Sequence, residues 1–393
     1  MRDFNNKLVA CTIATKNHLS KVRVLTESFL RYHPNSKVFF LLVDEVEDAF
    51  DPSKEAFHLV RLEDLGIPNL DQLLFKYTAI EVCTAVKADF LEYLLKEFGC
   101  RRIVYFDDDI LVMDSLESLS ELLDHHAIVL TPHLLEPIGQ SNRRPNELDT
   151  LCAGTYNLGF IAIADTQTTR AFLEWWKSRL YNYCLTGYGL FVDQKWVDLA
   201  LGFFDGIHIL RDPGYNVAWW NMGWRRLTVA GRNYFVNGRP LRFFHFSGFD
   251  PERPERISKY LERYTFSELP EYRPLFMTYR QLLNSAEYQK VSRWMWTYGH
   301  FDNGAKIPDD ARRTYYNSEQ LQRKYPNPFS TSSQDNYFHW WNTRLKREIP
   351  IIIAKSVGLA RRMGIKSLVH EVAVKIMNTE IQSSISKRNR NEA

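Results

Sequence analysis

Apolar residues run almost unbroken through positions 8–15 (LVACTIAT) and 37–44 (KVFFLLVD), both of strand length and partly β-branched. Between them, residues 20–32 carry apolar side chains at helical spacing, so the chain is predicted to open with a β-α-β unit. A long helical pattern over 73–98 leads to a strand at 103–106 that runs straight into Asp107-Asp108-Asp109. Short strands are predicted at 127–131, 158–164 and 241–246, and a helix carrying Trp175 and Trp176 over 172–183. Strands alternating with helices imply an α/β fold on a mainly parallel, Rossmann-like sheet covered on both faces. After about residue 251 the chain becomes polar and proline-spaced, with a helical island over 275–283. A boundary is therefore expected near residue 265, giving an α/β domain over 1–265 and a mainly helical region over 266–393. From 355 to 390 there are eight Lys and Arg but two Glu, set among Ile, Leu, Val and Met. That pattern predicts a basic amphipathic helix able to rest on an anionic membrane or a partner, or to pack as a terminal helix.

Composition narrows the function classes. The chain has 393 residues, of which 45% are hydrophobic and 25% charged, enough to fill a globular core. Its 50 Lys and Arg against 47 acids give a net charge of +3, too small for a general polyanion binder, so no nucleic-acid partner is expected. Aromatic residues make up 14%, with 10 Trp and 20 Tyr, and their flat faces suit sugar rings and bases. The five cysteines are scattered and contain no CxxC pair, which argues against a disulfide framework or a zinc site and for a reducing compartment. The opening MRDFNNKLVACTIAT lacks a secretory pattern, and no apolar run reaches the ~18 residues that span a bilayer. The expectation is a cytoplasmic protein, with peripheral contact at the inner face of the cytoplasmic membrane through the basic tail.

The candidate chemistry lies in the three consecutive carboxylates. On an extended backbone Asp107 and Asp109 share one face. Side by side, three like charges repel unless a cation neutralises them. Ligands usually bind at the carboxyl end of a strand in a parallel sheet, so a divalent metal is the natural neutraliser there. A solvated acidic turn is the bland alternative; the apolar segment 110–113 that follows at once and the missing Gly and Pro speak against it. A phosphohydrolase of the haloacid dehalogenase type is a second enzymatic alternative, although Leu111 stands where that motif has Thr or Val.

Residues 7–260 resemble a glycosyltransferase of the GT-A type, most like the retaining enzymes of family 8 and their bacterial polysaccharide-synthesising relatives. The resemblance rests on four segments in order after the β-α-β opening: IVYFDDDILV, TYNLGFIAI, LFVDQKWVD and FFHFSGFDP. It implies that Asp107 and Asp109 hold a Mn²⁺ or Mg²⁺ bridging the diphosphate of a nucleotide-sugar, with UDP the expected nucleotide and Asp108 beside them. His245 in the late histidine motif is the further metal ligand, and an imidazole among carboxylates favours Mn²⁺. Asn157 and Gly159 match the Asn-x-Gly that faces the donor sugar. Asp193 and Gln194 match the Asp-Gln pair beside the anomeric carbon, as sugar-orienting residue and nearest group respectively. Whether retention proceeds through a covalent intermediate or by same-face attack is left open. Thr15 and Asn17, ending the first strand, fall where relatives bind the uracil and ribose; Lys87, Asp108 and Gly248 are counted with the donor-binding residues. Relatives carry a lysine just after the histidine motif to hold the diphosphate. This chain departs there, with Asp250-Pro251-Glu252-Arg253, and neither Arg253 nor Lys259 matches by spacing.

On the acceptor side, Trp219, Trp220 and Trp224 are candidates for a stacking wall, with at least one of the adjacent pair expected to pack inward. FDNGAKIPDDARRTYY, NPF and FHWWN resemble an accessory segment of bacterial polysaccharide glycosyltransferases. The expected function is metal-dependent transfer of a sugar, with retention, to a hydroxyl of a glycan or lipid-linked saccharide acceptor in surface-polysaccharide synthesis. A non-catalytic glycan-binding scaffold is the remaining alternative.

Overall fold

The first apolar run forms β1 (Leu8–Ala14), buried along its whole length, as a strand covered on both faces must be. The computed structural model describes residues 7–139, 143–187 and 189–344. They belong to two compact units, Met1–Asn327 and Pro328–Ala393. The position expected as a boundary, near 265, lies inside the first unit, and the basic helix expected over 355–390 lies outside the described residues.

After β1, helix α1 (Leu19–Tyr32) sends Leu19, Val22, Leu25 and Phe29 into the core at helical spacing. The strands β2 (Val38–Leu42), β3 (His58–Arg61), β4 (Arg102–Phe106), β5 (Ile110–Val112), β6 (Ile128–Pro132) and β7 (Tyr156–Ala164) follow. A seven-stranded sheet has the order Ile207–Ile209, β6, β7, β4, β1, β2, β3. β1 pairs in parallel with β2 and β4, β2 with β3, and β6 with Ile207–Ile209. β7 runs antiparallel to both β4 and β6. The fold is thus mixed α/β on a mostly parallel central sheet, as the alternating pattern predicts.

A second, three-stranded sheet joins Val217–Ala218, Phe243–His245 and β5. Phe243 enters the core under the large sheet, whereas its neighbour Phe244 packs in a separate cluster with Tyr272, Leu275, Phe276, Tyr279 and Leu283. The last four belong to helix Arg273–Ser285, and the rings of Tyr279 and Phe246 stack at 3.8 Å. Residues beyond 265 therefore help to anchor the strand that carries His245.

The long helix expected over 73–98 is three helices, Leu70–Lys76, Ala79–Ala85 and Lys87–Glu97. Tyr77 and Thr78 are extended, and the Glu81 carboxylate accepts from the Thr78 N–H at 3.0 Å, capping the second helix. The orphan carbonyls at the break are met by Arg312, a buried side chain of helix Asp309–Tyr316. Its guanidinium donates to the carbonyls of Leu74 at 3.0 Å, Phe75 at 2.8 Å and Tyr77 at 3.0 Å. Apolar periodicity alone does not register such a break, because all three helices keep one face inward. In the second unit the rings of Tyr337 and Trp340 stack at 5.5 Å. Among the described residues no helix is long and apolar enough to cross a membrane.

Replacing Arg312 by Ala strands three buried carbonyls and is expected to cost about 2–4 kcal/mol. Chemical denaturation of the full chain should show a lower midpoint for Arg312→Ala; an unchanged midpoint would remove this role.

Candidate active site

β4 ends at Phe106, and the next residue meets Gly159 of β7: the Asp107 N–H donates to the Gly159 carbonyl at 2.8 Å. The Ile110 N–H then donates back to the Asp107 carbonyl at 3.2 Å, so residues 107–110 form a turn. This corrects the expectation of a continuing extended backbone. Asp107 and Asp109 come together through the turn, not through the pleat of a strand. Ile110 pairs opposite His245, and the Phe246 N–H donates to the Asp109 carbonyl at 2.9 Å. The end of the histidine strand is thereby laid against the acidic turn.

Asp107, Asp109 and His245 each bring one ligand atom within 4.8 Å of the others. His245 Nε2 is 2.9 Å from Asp109 Oδ1 and 3.8 Å from Asp107 Oδ2. Burial pulls the His245 imidazole down, but Asp109 and its neighbouring carboxylates outweigh it and hold the ring above its ordinary value. Burial pushes Asp109 up, and His245 with Lys21 and His18 more than reverses this. Asp107 is raised by burial against the pull of Lys87 and His245. Two features fit this group to a divalent cation. His245 Nδ1 is buried and makes no hydrogen bond, and the buried Asp109 Oδ1 faces the imidazole Nε2. A Cβ on Gly159 would come within 2.4 Å of His245 Cε1 and 2.8 Å of both Asp107 Oδ2 and Asn157 Oδ1, so only glycine keeps the space between these groups clear. Mixed oxygen and imidazole donors suit Mn²⁺, with Mg²⁺ the harder alternative.

Beneath the cluster lies a buried ion pair. Lys87 Nζ is 2.6 Å from Asp193 Oδ2, with the side chains 1% and 3% exposed. Lys87 also donates to the Leu158 carbonyl at 2.8 Å and sits 4.1 Å from the centre of the Tyr105 ring, whose hydroxyl donates to Asp107 Oδ1 at 2.9 Å. Burial raises the Asp193 carboxyl, and Lys87 opposes the shift. Gln194 is held at both ends. Its Oε1 accepts from the Leu158 N–H at 2.9 Å and from Asn157 Nδ2 at 3.3 Å, and its Nε2 donates to the Ala153 carbonyl at 3.0 Å. Asn157 Oδ1 accepts in turn from Asn216 Nδ2 at 3.1 Å.

The remaining expected residues lie around this centre. Thr15 Oγ1 donates to Asn17 Oδ1 at 2.5 Å at the end of β1. Asp108 stands apart from Asp107 and Asp109, with its Oδ2 2.6 Å from His18 Nδ1. Gly248 has φ 71°, a conformation that favours glycine, in the turn after the histidine strand. Of the three tryptophans expected on the acceptor side, Trp220 is buried and meets His245 edge to face at 5.1 Å. Trp219 packs on Tyr260 and Trp224 on Tyr264, both partly exposed.

No family model matches the chain. Two proteins of Bacillus subtilis (strain 168) are similar to it, both described as uncharacterized. YfnF is 27% identical over 258 residues, covering 61% of this chain and 80% of that protein; YfnD is 22% identical over 247 residues, covering 61% and 76%. Among solved structures, the galactosyltransferase LgtC in complex with donor and acceptor sugar analogs is similar at TM-score 0.44 and 16% identity, covering 70% of this chain and 95% of that one. The glycosyltransferase GlyE of Streptococcus pneumoniae TIGR4 is similar at TM-score 0.42 and 14% identity, covering 75% and 67%.

Sequence reasoning missed His18, Lys21, Tyr105, His133 and Asn216. Tyr105 had a signal, standing two residues before Asp107 on one strand. Asn216, at φ 52° in the segment DPGYNVAWWN, had a weaker one, since Asn tolerates that backbone. His133, whose Nε2 is 3.4 Å from Asn157 Nδ2, and the pair His18 and Lys21 had none.

Gly159→Ala is expected to weaken Mn²⁺ binding by about tenfold or more while the far-ultraviolet spectrum stays native; equal affinity would show that the group does not enclose the ion. Lys87→Met leaves Asp193 buried without its cation and is expected to lower stability by about 3–5 kcal/mol. A denaturation curve overlying the wild type would contradict that pairing.

Proposed function

We propose that the chain is a metal-dependent glycosyltransferase that moves a sugar, with retention, from a nucleoside diphosphate, UDP first among candidates, to a hydroxyl of a glycan or lipid-linked saccharide. One observation carries this reading: Asp107, Asp109 and His245 converge on a space that Gly159 keeps clear, beside Asn157 and above the Lys87–Asp193 pair. Carboxylates that only solvate a turn have no reason to face a buried imidazole with an unmet ring nitrogen. A divalent cation held by these three residues supplies charge that stabilises the diphosphate as it leaves.

The chain's own residues do the rest. Thr15 and Asn17 bind the base and ribose. Asn157 and the open backbone at Gly159 receive the donor sugar. Asp193, fixed by Lys87, orients the sugar hydroxyls, and this pairing favours an orienting role over a nucleophilic one. Gln194 is the group nearest the anomeric carbon; its carbonyl oxygen already serves Leu158, so a sugar there competes with the longer bond from Asn157. The acceptor then attacks on the face that the diphosphate leaves, and a phosphate oxygen takes its proton. The partly exposed Trp219 and Trp224 are the stacking candidates for the acceptor, whereas Trp220 supports His245. Surface-polysaccharide synthesis at the inner face of the cytoplasmic membrane belongs to the same reading and rests on the basic stretch over 355–390.

The test is incubation of the full chain with a panel of nucleotide-sugars, with Mn²⁺ or with chelator. Metal-dependent release of UDP from one donor is expected, with loss of more than about a hundredfold in Asp109→Asn. Phosphate release from simple phosphomonoesters without turnover of any nucleotide-sugar would overturn the reading in favour of a phosphohydrolase.

A further inference from the structure

Two basic side chains stand beside the acidic turn with no role assigned so far. His18 immediately precedes α1, and Lys21 lies in the first turn of that helix. His18 Nδ1 is 2.6 Å from Asp108 Oδ2, and Lys21 Nζ is 3.7 Å from Asp108 Oδ1. The second separation is that of an ion pair and is too long for a hydrogen bond, so the Lys21 ammonium keeps its donors available. Asp108 is the one carboxylate of the three outside the metal-ligand group. His18 and Lys21 hold it on the α1 side. The charge of Lys21 also helps to hold the Asp109 carboxyl down.

Charge balance gives this arrangement a purpose. Asp107 and Asp109 together cancel the charge of one divalent cation, so a diphosphate bound there brings negative charge that the metal group leaves unbalanced. A further cation is needed within reach. Lys87 is committed to Asp193, the Leu158 carbonyl and the Tyr105 ring. Arg253 is exposed and 3.9 Å from Asp250. Lys259 is exposed, with its ammonium 4.9 Å from the centre of the Tyr260 ring, although its N–H ties it to the Gly248 carbonyl at 2.9 Å. Lys21 alone among these combines partial burial, contact with the acidic turn and donors not used in a hydrogen bond.

We propose that Lys21 binds the diphosphate of the donor and of the released nucleotide, exchanging Asp108 for a phosphate oxygen while His18 retains Asp108. The proposal rests on the nucleotide-sugar reading of the site. It places the diphosphate between the metal group and the start of α1.

The experiment measures binding of UDP and of uridine to the full chain in Mn²⁺ by titration calorimetry. Lys21→Gln is expected to weaken UDP by about tenfold or more, to leave uridine within about twofold, and to be largely rescued by Lys21→Arg. Unchanged UDP binding, or equal losses of UDP and uridine, would overturn the assignment. Lys259→Gln, measured alongside, is expected to weaken UDP less than Lys21→Gln does; the reverse order would also overturn it, giving the role to Lys259. If the wild-type chain with Mn²⁺ binds none of UDP, GDP and ADP, the donor reading itself fails, a result separate from any difference between variants.

Discussion

The placement of the acidic turn against His245 is the constraint on which the rest of the site depends. Three carboxylates in sequence repel one another, and a free turn would spread them into solvent. Here the turn is clamped from two sides, by the Gly159 carbonyl on the Asp107 N–H and by the Phe246 N–H on the Asp109 carbonyl. The clamp fixes backbone, so the carboxylates must tolerate each other near a buried imidazole. The cores behind the clamp explain its rigidity: Phe243 is set in one apolar cluster and Phe244 in another, so the strand that presents His245 is anchored on both faces.

Electrostatic order follows from this placement. Three of the site's four carboxylates have their own counter-groups. Asp109 faces His245, Asp108 faces His18 and Lys21, and Asp193 faces Lys87. Asp107 instead receives the Tyr105 hydroxyl and feels Lys87 across the Tyr105 ring. The buried Lys87–Asp193 pair is expensive to desolvate, and its hydrogen bond to the Leu158 carbonyl offsets part of that cost. The amides of Gln194, Asn157 and Asn216 continue the network outward without adding charge.

Much of this was legible in the sequence. The unbroken apolar runs of β1 and β2 and the alternating helices gave the sheet its class, because strands buried on both faces leave that signature. The ordered motifs brought Asp107, Asp109, Asn157, Gly159, Asp193, Gln194 and His245 to one place. Other features left no such trace. The helix break at Tyr77 is stabilised by Arg312, more than two hundred positions away, and no local pattern carries that contact. The turn at 107–110 depends on Gly159 and Phe246, so local propensity favoured a longer strand. Lys21 left no signal in the sequence; only the fold shows that the start of α1 stands against the middle carboxylate.

The account rests on His245 and the turn acting as one metal group. Pulsed electron paramagnetic resonance of the full chain loaded with Mn²⁺ tests this most directly. The account requires nitrogen modulation from a coordinated imidazole that disappears in His245→Gln; bound Mn²⁺ without nitrogen coupling in the wild-type chain would contradict it.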